Sequence, residues 1–573
     1  MKKTYLSFIV LLTFSFFSCS EDFLDISPKN SITDDAVWSS GSATKMFLYD
    51  IYNSTLSGPL YNYTATNNRS FDHLFTDDMG LDFNQGWNTF NFTASNAPIN
   101  RWSSCYSNIR KTNLGIEKLS ASDVLTKAES DRFLGDLHFL RGLLYLELFR
   151  FYGGVPLIKQ ALNRNEEEIF YARNTAEETL KFIIEEFQTA GDFLPLTLIP
   201  EEYGRATRGA ALGMKAVALL HGAGTVDARY YADAATAASV FITGDLQDRY
   251  ELFGKSETDP LKKREAYQNL FLEPYEGNSE VIFDVQYAFP YKSQGGYQTV
   301  AAPGAPGVNN AYGWGMSAPV QNLVDAYEMK DGSAFNWNNS EHAANPYANR
   351  DERLYATVLY HGVTWKGAFL SLSSNRFDNG VEVKNNLPNG LFSTKSERTK
   401  TGYFIRKHMN ESVICGPQNR QEGIGDGGNL IVLRFAEILL TYAEAKNEVS
   451  GPDASVYDAV NQIRRRAGQP DLIAGLSKEE MREKIRNERR IEMAFECKRF
   501  FDIIRWNAGE KYLNVPLMGM DAKYVKTSTG EIKLTYTPFK VVDKIFSSPK
   551  NNLLPIPLSA MNQNPKLTQN PNW

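Results

Sequence analysis

Histidine and cysteine are scarce in this chain, at six and four of 573 residues. His73, His138, His221, His342, His361 and His408 make no HExxH and no ligand pair at helical spacing, which excludes a zinc hydrolase built on one helix. Cys19, Cys105, Cys415 and Cys497 are too widely spaced for a CxxC site or a disulfide framework. A GxSxG elbow is missing too, and with it the nucleophile turn of an α/β-hydrolase. There is no excess of basic residues: the net charge is −6, so the phosphate neutralisation that nucleic acid requires is not on offer. Missing motifs do not exclude a glycoside hydrolase, whose two carboxylates can come from any two positions. No cofactor is expected: Asp331 and Asp426, with nearby carbonyls, offer at most a weak structural calcium site without EF-hand spacing, and solvated loop carboxylates are the preferred account.

Apolar residues make up 42% and charged residues 22%, the composition of a globular chain long enough for a large core. Length alone suits about three or four domains, or one extended helical scaffold. At the N-terminus Lys2 and Lys3 precede an apolar run from Tyr5 to Phe17, then Ser18-Cys19 and Ser20-Glu21-Asp22. That run falls short of the about 20 residues a spanning helix needs, and the pattern reads as an export signal. Cys19 after a small residue resembles the acylated cysteine of a bacterial lipoprotein, with Ser20-Glu21-Asp22 as an acidic surface-sorting signal. The expected division is a signal peptide over 1–18, a lipid-anchored tether over 19–30 and one domain over 31–573.

Within that domain Thr33-Asp34-Asp35 reads as a helix start, with Met46, Phe47, Ile51 and Leu56 on the buried face. From 58 to 98 the periodicity gives way to Asn, Gly, Asp and scattered aromatic rings, and a loop of that length is usually functional. Helices are predicted over 102–119, 131–152, 175–194, 207–221 and 228–243. Gly153-Gly154 and Pro156 end the second of these. Ala210, Ala211, Ala216 and Ala218, with Ala234, Ala235 and Ala238, allow the close packing of tetratricopeptide-like pairs. Between 244 and 429 Gly, Pro, Asn and aromatics dominate, with strand candidates at 280–287 and 355–360. Gly423, Gly425 and Gly428 match GxGxxG, yet no βαβ unit surrounds them and a dinucleotide is rejected. A buried helix over 430–449 and another from near Asp453 follow. The expected fold is mostly α: a tetratricopeptide-like superhelical scaffold of helix pairs (31–243 and 430–573) with a large loop-rich insertion (244–429) carrying short strands.

Two features carry chemistry. Over 489–506, Glu496, Arg499, Asp502 and Arg505 recur three apart with alternating sign among Phe495, Phe500, Phe501, Ile503, Ile504 and Trp506. On a single helix each charge meets an opposite one, and partly buried charges persist only when paired, so the stretch reads as a structural ion-pair helix rather than a catalytic carboxylate pair. The second feature is aromatic rings on loops beside hydrogen-bonding groups: Trp87 and Phe90 near Asn84, Gln85 and Asn88; Tyr291, Tyr297, Tyr312 and Trp314 among Gln294, Asn309 and Asn310; Trp337 with Asn336, Asn338 and Asn339. Flat rings stack on the C–H faces of sugars while amides hold the hydroxyls; the competing account is that the rings pin long loops to the scaffold.

Glu488-Arg489-Arg490-Ile491-Glu492, Ala494-Phe495-Glu496, Arg499-Phe500-Phe501-Asp502 and Arg505-Trp506 resemble the C-terminal signature of the SusD/RagB family, surface nutrient-binding lipoproteins of Bacteroidetes. Asp77-Asp78, Gly153-Gly154-Val155-Pro156, Arg434-Phe435-Ala436-Glu437 and Leu554-Pro555-Ile556-Pro557 extend the resemblance along the chain. The departures are Cys497, where the family carries Gly, and Phe16 and Phe17 beside the acylated position. The resemblance implies a non-enzymatic outer-membrane lipoprotein, lipidated on Cys19, that captures an oligosaccharide and passes it to a SusC-like TonB-dependent transporter. It points to Trp87, Asn88, Phe90, Tyr291, Tyr297, Tyr312, Trp314 and Trp337 as ligand-binding residues, with Trp87 and Trp314 foremost because the family's binding surface is built from the corresponding loops. A surface glycoside hydrolase and a peptide-binding member of the same family are the alternatives.

Overall fold

Of the helix starts expected from the sequence, those at Thr175, Thr207 and Asp453 are side-chain caps. The computed structural model describes residues 37–60, 75–81, 89–121, 123–162, 169–288, 291–292, 301–303, 313–315, 317–385, 399–413 and 427–573. The expected signal peptide, Cys19 and the helix start at Thr33-Asp34-Asp35 lie outside them. Ser40 caps α1 (Gly41–Thr55), which buries Leu48, Ile51 and Tyr52 and leaves Met46 61% exposed. The expected face was therefore rotated: Met46 looks outward, and Tyr52 turns in to donate to Asp136.

After the short strand β1 (Met79–Leu81) come α2 (Trp102–Ser120), α3 (Lys127–Tyr152), α4 (Ala176–Phe193), α5 (Arg208–Thr225) and α6 (Tyr230–Ser239). Thr126 with Glu129 and Thr175 with Glu178 form capping boxes at the starts of α3 and α4, each satisfying two amide donors of a first turn. Each of these helices packs on the next. Gly142 of α3 lies against the Phe187 ring and Gly222 of α5 against Leu180, where a β-carbon would collide; the missing side chains set the helix spacing.

The insertion carries α7 (Pro260–Asn269), β2 (Val281–Val285), β3 (Ser317–Pro319), α8 (Gln321–Ala326), α9 (Glu352–Thr357), β4 (Val358–Leu359) and β5 (Phe404–Ile405). The stretch 355–360 is thus mostly the end of a helix, with Asp351 capping it, and only Val358–Leu359 is strand. The C-terminal part comprises β6 (Leu430–Arg434), α10 (Phe435–Ser450), α11 (Ala454–Ala467), α12 (Lys478–Glu492), α13 (Arg499–Arg505) and the hairpin β7 (Leu517–Lys526) and β8 (Ile532–Val542). Every sheet among the described residues is a pair of antiparallel strands: β1 with β3, β2 with β6, β4 with β5, β7 with β8 and two shorter hairpins.

Two helix expectations need correction. Leu430–Arg434 is strand before the helix begins, because this apolar, β-branched run pairs with β2; a short apolar run carries no period to tell strand from helix. The stretch 489–506 is not one helix: α12 stops at Glu492, Phe495 and Cys497 adopt φ of 61° and 60°, and α13 restarts at Arg499.

Candidate functional site

The broken helix sends its charges in separate directions. Of the pairs expected along it, only Asp502 and Arg505 meet, at 2.8 Å. Glu492 and Glu496 turn instead to Arg434, whose guanidinium also bonds Glu280, while Arg466, Arg353 and Lys407 complete the cage. All of these side chains are buried. Burial pulls the Glu496 carboxyl up, but Arg434 and Lys407 outweigh it and bring it down to about 2. Glu492, held the same way by Arg466, Arg434 and Arg353, stays well below the usual carboxylate range. These carboxylates are ionised at neutral pH and engaged by cations on every side named, as a structural ion-pair network requires.

Arg499 leaves its own helix to grip Asp77 through two bonds of 2.9 Å, lying over the rings of Tyr512 and Trp506. Arg490, on α12, takes Asp78 at 2.7 Å and Asp77 at 2.9 Å. Both aspartates are buried; against that burial the two arginines hold Asp77 below its usual range, while burial and the neighbouring Asp77 charge push Asp78 up. The break between α12 and α13 is what aims both arginines at one acidic pair. Lys544, also buried, donates to the Thr76 carbonyl beside it. These contacts fix the start of β1, which begins at Met79 and leads on to the stretch that carries Trp87.

β1 then pairs with β3 in the register Met79 to Pro319, Gly80 to Ala318 and Leu81 to Ser317. Leu81 is the last described residue before the Trp87 loop, and Ser317 follows Trp314 closely. The two loop stems are therefore adjacent strands, about 5 Å apart. Trp314 is half-buried and flanked by glycines that are needed where they stand. A β-carbon on Gly313 would strike the Ala302 carbonyl, and one on Gly315, at φ 55°, the Phe404 ring. The Gly315 amide also donates to that Ala302 carbonyl at 3.1 Å, which holds the backbone on either side of the indole.

The other candidates divide. Trp87, Asn88, Tyr297 and Tyr312 lie outside the described residues, as does Asp426 of the calcium expectation and most of the glycine-rich stretch 423–428. Phe90, at φ 58°, is buried against Phe75 and Phe546 with centroids 5.4 and 5.2 Å away, so this ring pins its loop to the core and has no open face for a ligand. Trp337 is partly buried, its indole N–H shared between both oxygens of Asp325 at 3.2 and 3.1 Å and its ring edge-on to Phe335. Tyr291 is 93% exposed, on the turn closed by the Ala288–Lys292 bridge. Asp331 accepts from Ser333 rather than joining a ligand cluster, and no group of three or more metal-ligating side chains occurs among the described residues. Sequence reading missed the positioning elements, the Asp77-Asp78 clamp and the Gly313/Gly315 pair; two adjacent acids before a loop and glycines bracketing a tryptophan were the available signals.

Comparison with known proteins follows this geometry. A family model described as SusD family matches residues 279–573, and a second, described as starch-binding associating with outer membrane, matches residues 22–219. A solved SusD-like protein of Bacteroides fragilis NCTC 9343 is similar at TM-score 0.76 and 28% identity, covering 96% of this chain and 100% of that one. A SusD-like carbohydrate binding protein from the same organism gives 0.74 and 25%, with 93% and 99% covered. SusD-like protein P38 of Formosa agariphila is 23% identical over 541 residues, spanning 91% of this chain and 94% of the relative.

Proposed function

This chain belongs to the SusD family, and from that premise we propose that it is a cell-surface glycan-binding lipoprotein which captures oligosaccharide and delivers it to a SusC-like TonB-dependent transporter. The observation that carries the reading is the β1–β3 ladder, which makes the stems of two tryptophan-bearing loops neighbours on a rigid base. Trp87 and Trp314 then supply faces for sugar C–H surfaces, and the loop amides supply hydroxyl partners. The relatives described as carbohydrate binding and as starch-binding at the outer membrane support the ligand class and the location. Acyl chains on Cys19 hold the protein at the membrane, each buried methylene contributing about 0.8 kcal/mol.

We read the protein as a binder and not a hydrolase because the carboxylates at the base of the site, Asp77 and Asp78, are engaged by arginine. Binding measured on the chain lacking Met1 to Ser18, against a glycan array and then by calorimetry, tests this. Trp87→Ala and Trp314→Ala should each weaken the best glycan by about 1–3 kcal/mol, with little change in melting temperature. Variants that bind as wild type but melt much earlier make the rings loop pins. Steady release of small products, abolished by one carboxylate substitution, turns the reading to a glycoside hydrolase; a bound peptide with no bound glycan turns it to peptide capture.

A further inference from the structure

A cleft of about 730 Å³ lies between the segment that links α4 to α5 and the strand β2, and it shares no lining residue with the β1–β3 pair. At its mouth Tyr203 is 65% exposed, directly after the helical turn Pro200–Glu202, and its ring makes no aromatic or cation contact among the described residues. Its backbone is nonetheless held. Gly204, at φ 91°, sits so close to Gln286 that a β-carbon would strike that side chain, and Arg205 is anchored in the scaffold by Asp136 and Glu202.

Other polar groups lining the same cleft are preset. Gln286 donates to one oxygen of Asp284 at 3.0 Å and the Asn429 amide to the other at 2.9 Å, while Asn429 itself accepts from the Tyr287 amide at 2.8 Å. Each Asp284 oxygen keeps a further lone pair, and each amide a further N–H. An exposed flat ring in the same concave polar cleft as fixed amides and a carboxylate is the constellation that recognises a polyhydroxylated ring: C–H faces on the aromatic, hydroxyls on the amides and carboxylate.

We propose that this cleft is a second saccharide subsite, with Tyr203 as its stacking face and Gln286, Asn429 and Asp284 as its hydroxyl partners. It goes beyond the function proposed above, since it needs neither tryptophan loop. Burial pushes the Asp284 carboxyl up from its usual range, which suits contact with uncharged hydroxyls.

Titration of the chain lacking Met1 to Ser18 with soluble starch, laminarin, xylan and mannan, and with their short oligosaccharides, tests it. Tyr203→Ala, which alters an exposed ring, should keep the wild-type melting temperature, and both it and Gln286→Ala should weaken polysaccharide binding about three- to ten-fold. In a Trp87→Ala/Trp314→Ala background they should remove the binding that remains. If both cleft variants match wild type while the tryptophan variants lose all binding, the subsite is wrong and the loop site stands. If the cleft variants lose binding and the tryptophan variants do not, the loop site is wrong and the subsite stands. Absence of binding by wild type to every member of the panel overturns both.

Discussion

Cys497 sits at φ 60°, in the left-handed region, in the turn that separates α12 from α13. A side chain there costs about 1–2 kcal/mol through contact of its β-carbon with the following carbonyl. Glycine escapes that strain but loses about 0.5–1 kcal/mol more backbone entropy on folding. Cys497→Gly should therefore stabilise the protein by up to about 1 kcal/mol, read as a higher urea midpoint at unchanged slope. A lower midpoint would mean that the packing of this buried thiol outweighs the strain. The residue that departs from the resembling family's glycine is thus a matter of backbone handedness, and the helix formers on both sides hide the break in the sequence. Phe495 shares the same strain at φ 61° and cannot be relieved in the same way, since its ring is buried in the core.

At the scale of elements, α13 does two jobs with one arginine. Arg499→Ala removes the guanidinium between Asp77, Tyr512 and Trp506 and leaves a buried carboxylate with fewer partners, so the fold should lose about 3–5 kcal/mol. The loss should also be local: amide hydrogen exchange over 75–81 and 89–92 should accelerate more than in α4 or α5, because the stem of the Trp87 loop is released. Unchanged exchange over 75–81 would separate α13 from the candidate site. Helices of this kind were legible where their signals are local. Thr175 with Glu178 announces α4 within four residues and Gly153 ends α3, whereas the capping box of Thr126 and Glu129 was passed over and the start of α3 was expected at 131. The three-residue strands β1 and β3 were not legible, because their pairing joins segments far apart in the chain and neither is long enough to show alternation. The same holds for the charges: spacing correctly linked Asp502 to Arg505, but Glu496 and Arg499 found partners across the fold that no local rule could name. Within the candidate site the division of rings was not legible, since an exposed Tyr291 and a buried Phe90 look alike among loop residues.

Across the whole molecule, the insertion and the C-terminal helices meet on one buried guanidinium. Arg434 stands where β6 becomes α10 and bonds Glu280 just before β2, and Glu492 and Glu496 at the break after α12, with no solvent exposure of its own. Arg434→Met keeps the apolar stem and removes the charge, leaving Lys407, Arg353 and Arg466 to hold the carboxylates. At neutral pH the loss should be about 3–5 kcal/mol, the scale for stranding a buried partner. The dependence on pH identifies the cause. In the wild type Glu492 and Glu496 are held below their ordinary 4.5, Glu496 at about 2, so their contribution is fully present above that ordinary value and disappears only as pH falls towards 2. In the variant burial is opposed by fewer cations and both carboxyls rise, so its folded state takes up protons at a higher pH than the wild type does. The gap between wild type and Arg434→Met, measured by urea unfolding, should therefore narrow as the pH is lowered from 7 towards 2. A gap that stays constant over that range would show that Arg434 acts through packing alone, and that the other cations suffice to keep the carboxylates ionised.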